Sequence, residues 1–283
     1  MHTIAMVSRK GGTGKSTIAI GLAVAAMEAG HRVCVVDADP LGTVTNWSRR
    51  RTSEEPTVET VHDGYALLHR IPELARRGVS LTIVDTAGGW SESSIAAMAA
   101  ANFCLIPARP GPADIEAAAP ILAAVRERRK PFAFVLNQVP PRSARLKAAA
   151  GWLGERAVAL NIANVLALPA IVMRNDQQDA LGVGFGITEY VPNGKSAKEI
   201  RGLWQWVWER LNRASQPRGD ALTHPKVDLR VPLFSTPSRL CAAVSAAPAV
   251  GQERHFRAGA AMSLMPPQRK LGWQPRRLRS NRA

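Results

Sequence analysis

Apolar positions along the first 213 residues follow two alternating patterns. Short runs that are apolar nearly throughout, Thr3–Val7, Arg32–Asp37, Leu81–Asp85, Phe103–Pro107 and Phe132–Asn137, have the length of strands and no polar face. Longer stretches of helical period separate them, among them Ser16–Ala29, Asp114–Arg128 and Ser143–Ala157. Strands without a polar face belong in a parallel sheet covered on both sides. The expected fold class is therefore α/β, a mostly parallel twisted sheet with helices on both faces. Right-handed crossovers bring the strand C-termini, and the loops that follow them, to one edge of such a sheet. Chemistry is expected at that edge.

The alternation stops near residue 214. Residues 1–213 carry 25 Lys and Arg against 19 Asp and Glu, whereas residues 214–283 carry 12 against 3 and hold eight of the twenty prolines. The division predicted is a folded domain over 1–213 and a basic, proline-containing, disordered tail over 214–283, with a short helix conceivable over Ser238–Ala247. The whole chain has a net charge of +15, a surplus that favours polyanionic partners such as nucleic acid or an acidic membrane face. Cys34, Cys104 and Cys241 are far apart and without metal-ligand spacing, which points to a reducing compartment and against a cysteine-bound metal. The first residues lack the charged and apolar regions of a signal peptide. No apolar run approaches the ~20 residues that span a bilayer. The expected location is cytoplasmic.

The strongest chemical signal is Ser8-Arg-Lys-Gly-Gly-Thr-Gly-Lys-Ser-Thr17, between an apolar strand and a stretch read as an amphipathic helix. Glycines here let successive backbone N–H groups turn toward phosphate oxygens, and the helix N-terminus behind them adds partial positive charge. Gly11, Gly12, Thr13, Gly14 and Thr17 complete the cradle, Lys15 reaches the β- and γ-phosphates of a nucleotide, and the Ser16 hydroxyl is a ligand for Mg²⁺. Two further strands end in carboxylates on the same edge. Val33-Cys-Val-Val-Asp37-Ala-Asp39-Pro40 supplies a pair, one to orient a water and one beside the metal. Leu81-Thr-Ile-Val-Asp85-Thr-Ala-Gly-Gly89 has the apolar-run-then-Asp form that holds Mg²⁺, followed by glycines that permit a mobile loop.

The phosphate loop departs from the general pattern: Arg9 stands where the ordinary motif has its first glycine, and a second lysine, Lys10, follows. In this it resembles the deviant Walker A ATPases, the P-loop NTPase-like group that contains ParA, MinD and the nitrogenase iron proteins. The resemblance implies ATP and Mg²⁺ as ligands, with Lys10 reaching across an ATP-dependent homodimer to the partner's nucleotide. It further implies that Asp39 positions the attacking water while Asp37 lies near Mg²⁺ and its waters. Leu41 stands where the family has glutamine. Thr45-Asn-Trp-Ser48, Pro107-Ala-Arg-Pro-Gly-Pro-Ala-Asp114, Val135-Leu-Asn-Gln-Val-Pro140 and Glu189-Tyr-Val-Pro-Asn-Gly-Lys-Ser-Ala-Lys-Glu-Ile200 are similar to the ParA family in particular. They place Asn137 and Pro192 where the family meets adenine.

With no helix-turn-helix ahead of the first strand, the chain resembles the short ParA class. Such proteins bind DNA without sequence preference when ATP-bound, associate with the nucleoid, hydrolyse ATP slowly and are stimulated by a ParB-like centromere-binding partner. Candidate DNA contacts are Arg142, Arg145 and Lys147 on one helix and Lys195, Lys198 and Arg201 near another. A MinD-like membrane ATPase is the alternative, suggested by Trp204, Trp206 and Trp208. However, Trp204 and Trp208 share a helical face with Leu211, as in a helix packed on a sheet, so a membrane role is disfavoured. An iron–sulfur electron donor would need paired cysteines at the dimer axis, and Cys34 and Cys104 fall inside buried strands. A partition-like ATPase that positions a conjugative DNA complex or a protein cluster is a third reading.

Overall fold

A computed structural model describes residues 1–141 and 166–215. The predicted helix Ser143–Ala157, the basic residues Arg142, Arg145 and Lys147, and the tail beyond residue 215 lie outside the described residues. Seven parallel strands form one sheet: β1 His2–Met6, β2 Val33–Ala38, β3 Thr57–Thr60, β4 Leu81–Thr86, β5 Phe103–Ala108, β6 Phe132–Leu136 and β7 Leu166–Ala167. Their order across the sheet is β3-β2-β4-β1-β5-β6-β7. The five apolar runs became the five central strands. Sequence reading missed β3 and β7, which are edge strands; Thr57-Val-Glu-Thr60 is largely solvated and β7 has two residues, too short for a pattern.

Alternation along the strands divides the core in two. Ile4, Met6, Val33, Val35, Ile83 and Leu105 face one side, under α1 (Lys15–Glu28), α2 (Thr43–Ser48), α7 (Asn175–Gly182), α8 (Ile187–Tyr190) and α9 (Lys195–Ser215). Ala5, Val36, Val84 and Ile106 face the other, under α3 (Gly64–Arg76), α4 (Glu92–Ala100) and α6 (Ala119–Glu127). The stretch behind the phosphate loop was read as amphipathic, but α1 is buried from Ile18 through Ala26. A second layer explains the difference: α9 crosses the outer face of α1 closely enough that a Cβ on Gly21 would lie 3.2 Å from Ile200 Cδ1. The single helix expected over Asp114–Arg128 is divided into α5 (Pro112–Ala117) and α6. Pro120 has no N–H to continue the ladder and restricts the residue before it.

The tryptophans of α9 are packing residues. Trp204 is buried and stacks on Trp208 with ring centroids 5.5 Å apart, and His31 lies against both. Trp206 is half-buried beneath the Arg210 guanidinium, 3.3 Å above its ring. This removes the aromatic argument for a membrane face. Among the described residues no helix is long and apolar enough to cross a membrane.

A latch joins α2 to the turn between α7 and α8. Trp47 Nε1 donates to the Phe185 carbonyl (3.1 Å), and Arg51 makes a two-pronged contact with Glu189 (2.8 Å each). Gly184 has φ +79° and no room for a Cβ, which would lie 2.5 Å from the Arg50 carbonyl carbon. Burial pushes the Glu189 carboxyl up, but Arg51 and the Gly186 amide reverse this and hold it below its ordinary value of 4.5. A depressed carboxylate pKa stabilises the fold above the unfolded pKa and loses that stabilisation as pH falls through the folded one. Glu189→Ala, which leaves the nearly buried Arg51 uncompensated, is expected to cost about 3 kcal/mol at neutral pH. Urea titrations at pH 7 and pH 4 check this: the deficit should shrink at the lower pH, and an equal deficit at both would count against the pair.

Candidate nucleotide site

The site forms where the strand order reverses. β1 pairs with β4 on one side and β5 on the other, so the loop leaving β1 lies between the C-terminal ends of two neighbours. Met6 pairs with Asp85 and Asp37 with Asp85 across the parallel ladders, which puts the carboxylates of β2 and β4 side by side on one sheet face. The Gly-rich loop turns over this edge with Gly12 at φ +71° and Gly14 at φ +89°. α1 then begins at Lys15, its N-terminal amides directed at the loop. Gly11, Lys15, Ser16, Thr17 and Asp39 line an open cavity of about 300 Å³.

Each predicted residue has a distinct setting. Lys15 is buried beside the cavity. Lys10 is half exposed, with its Nζ 3.0 Å from Asp114 Oδ1. Asp39 lines the cavity, and its Oδ1 accepts from the Leu41 amide (3.0 Å). Leu41 itself stands exposed on the cavity rim. Asp85 is fully buried, and among the described residues neither carboxylate oxygen finds a hydrogen bond of good geometry. Burial raises its pKa to about 7; Ser16 and Lys15 oppose the rise, and Asp37 and Asp39 reinforce it. A buried carboxylate without a well-formed hydrogen bond, next to a hydroxyl and a lysine, suits a divalent cation. The donor set therefore fits a nucleoside triphosphate with Mg²⁺, which Ser16 and Asp85 would hold.

Three further predicted residues have settings of their own. Asp37, expected near Mg²⁺ and its waters, has a carboxylate that accepts from Thr45 N and Thr45 Oγ1 (both 2.8 Å) and from Asp39 N (3.3 Å). Its geometry anchors the loop and α2 and leaves it a neighbour of the metal position. Asn137 and Pro192, expected at adenine, do not line the cavity. Asn137 is buried with Nδ2 donating to the Thr13 carbonyl (2.8 Å), and the Pro192 carbonyl accepts from Arg201 (2.6 Å). Arg201 also pairs with Glu28 at 3.0 Å and donates to Thr188 O, so it ties α9 to α1 and α8. Lys195 and Lys198 are exposed at the start of α9. The loop after β4 packs on the phosphate loop: Gly89 N donates to Ser8 O (3.1 Å), and a Cβ on Gly88 would lie 3.3 Å from Gly11 N.

Sequence reading gave no role to Arg109 and Gln138, whose side chains donate to the Gly12 carbonyl of the phosphate loop. The signal available was position, since Arg109 directly follows β5 and Gln138 stands two residues past the end of β6.

A glycine loop joining a central parallel strand to a helix, with a buried lysine and an orphaned carboxylate on the next strand, defines a P-loop nucleotide-binding protein. Residues 4–177 match the family described as CobQ/CobB/MinD/ParA nucleotide binding domain, and the chain belongs to that family. It is 31% identical over 221 residues to maintenance of carboxysome distribution protein A of Gloeobacter kilaueensis, covering 75% of this chain and 94% of that one. It is 30% identical over 157 residues to the chromosome-partitioning ATPase Soj of Thermus thermophilus, covering 46% and 63%. The fold is that of the Cyanothece McdA–ATP complex, with a TM-score of 0.61 at 18% identity over 74% of this chain and 96% of that one.

Proposed function

We propose that the protein is an ATPase switch of the ParA type. It binds ATP and Mg²⁺, dimerises around the nucleotide, binds DNA without sequence preference in that state and drives plasmid or chromosome partitioning. A ParB-like partner stimulates its slow hydrolysis. The observation that carries the nucleotide reading is Asp85, buried and unpartnered beside Ser16 and Lys15 at the mouth of the glycine loop.

Mg²⁺, when bound, would supply charge neutralisation for the phosphates. The chain's own residues do the rest. Backbone amides of residues 11–17 hold the phosphates, Lys15 neutralises charge on them, and Ser16 and Asp85 hold the metal. Asp39, with one oxygen fixed by the Leu41 amide, orients the attacking water and takes its proton. Lys10 is bound in cis to Asp114, so reaching a partner's nucleotide exchanges that carboxylate for phosphate. Exposed Lys195 and Lys198, together with Arg142, Arg145 and Lys147 outside the described residues, are the proposed contacts to DNA phosphates. The likeness to a partitioning ATPase supports DNA as the track, and the Gloeobacter relative, named for carboxysome distribution, supports a positioning role whose cargo is a protein assembly.

The test is binding of the full chain to nonspecific duplex DNA with ATP, ADP or no nucleotide at two salt concentrations. ATP-dependent binding that weakens at higher salt is expected, because phosphate contacts release counterions. Binding that ignores nucleotide would assign the affinity to the basic C-terminal segment alone. Intact ATP binding with no DNA binding would favour a MinD-like membrane or protein-positioning ATPase.

A further inference from the structure

Carbonyl oxygens of the phosphate loop are held by side chains, one of which, Gln138, also lines the cavity. Ser8 Oγ donates to the Lys10 carbonyl at 3.2 Å, and Asn137 Nδ2 donates to that of Thr13 at 2.8 Å. Between them the Gly12 carbonyl accepts from two side chains, Arg109 Nη2 at 2.6 Å and Gln138 Nε2 at 3.0 Å. A trans peptide unit is planar, with its C=O and the following N–H directed oppositely. A carbonyl pinned on one side therefore sends the next amide the other way. Pinning Gly12 O and Thr13 O sets the directions of the Thr13 and Gly14 N–H groups, which are donors a loop of this kind offers to phosphate.

We infer that Arg109 and Gln138 are positioning residues for polyphosphate: jointly they hold the Gly12 carbonyl turned outward, so that the loop's amides face the phosphates before nucleotide arrives. The inference rests on the nucleotide reading above and adds two residues to that site. Arg109 directly follows β5 and Gln138 stands two residues past β6, so both supports are anchored to the sheet. Arg109 has a buried Nε with no hydrogen-bond partner, and its Nη2 bond is what ties the guanidinium to the loop. Gln138 adopts φ +56°, a left-handed backbone that non-glycine residues rarely take, and in that conformation its amide reaches the loop. The fit is close, since a Cβ on Gly12 would lie 2.9 Å from Arg109 Nη2. A carbonyl has two lone pairs, which the two donors share. Each therefore covers in part for loss of the other. Preset amides need no reorganisation when the charged ligand binds, which is where the gain in affinity arises.

The test titrates the full chain with the fluorescent N-methylanthraniloyl analogue of ATP in Mg²⁺. Arg109→Met and Gln138→Met are each expected to weaken binding by about three- to tenfold. The double variant should lose more than the product of the two, because only then is the Gly12 carbonyl released. Arg109→Lys, which keeps a cationic donor, should recover most of the affinity lost in Arg109→Met. Melting temperatures without nucleotide should stay within about 3 °C of the parent. A double variant with parental affinity, or one whose loss of binding tracks a fall in melting temperature, overturns the positioning role alone. Failure of the parent to bind the analogue, or undiminished binding by Lys15→Ala, would overturn the nucleotide reading and this inference with it.

Discussion

Lys15→Ala is expected to abolish ATP binding without unfolding the protein. Lys15 is the first residue of α1 and is buried at the cavity wall. Its ammonium is therefore largely stripped of water and aimed where the β- and γ-phosphates are proposed to lie. Truncating one partner of a desolvated charge pair costs about 2–5 kcal/mol, or a loss of at least roughly thirtyfold in affinity. The same burial predicts the opposite sign for stability. Without phosphate, a buried cation carries a desolvation penalty, so the variant should melt no lower than the parent when nucleotide is absent. Isothermal titration with ATP and Mg²⁺, paired with a thermal melt of the free protein, checks both signs. Parental affinity would sink the assignment of the phosphate site, and a collapsed melt would show that Lys15 serves the fold.

Asp39→Ala should separate binding from turnover. Asp39 lines the cavity but contributes only a carboxylate to it, with Oδ1 committed to the Leu41 amide. Loss of a positioned general base or water-orienting group lowers turnover by about 10²–10⁴-fold. ATP affinity and ATP-dependent dimerisation should persist, because the amides, Lys15 and Lys10 are untouched. Asp39→Asn divides chemistry from geometry: the amide oxygen still accepts from Leu41 N, yet it is a poor base. Equal loss in both variants, measured as phosphate release under saturating ATP, supports a chemical role. If Asn restores the parental rate, Asp39 merely shapes the loop.

The two aspartate-terminated strands illustrate how far sequence carries. Both Asp37 and Asp85 end an apolar run at the same level of the sheet, and by sequence both belong near the metal. What separates them is the supply of donors. The Thr45 amide and hydroxyl, on the helix after β2, come within 2.8 Å of Asp37, whereas no donor forms a good hydrogen bond to Asp85. The same holds for the cationic residues: Lys10, Lys198 and Arg201 look alike in the chain, but Lys10 pairs with Asp114 and Arg201 with Glu28. Asn137 was placed by resemblance at adenine, yet its amide grips the loop from the end of β6. Arg109 and Gln138 lie inside the quoted ParA-like stretches, but their contact with the phosphate loop depends on which neighbours the sheet order gives β5 and β6.

The sequence by itself determined the class of fold, the central strands and the phosphate loop. Each of these is written in short-range terms: an apolar run of strand length, a helical period, or glycines beside lysine and serine at fixed spacing. Tertiary structure alone decided the rest. Strand order placed β5 and β6 beside the loop and so selected Arg109, Asn137 and Gln138 as its supports. Packing of α9 over α1 turned an apparently amphipathic helix into a buried one. The physical reason is common to all of these: hydrogen-bond satisfaction and burial depend on what arrives from distant segments, and local periodicity carries no record of the neighbour.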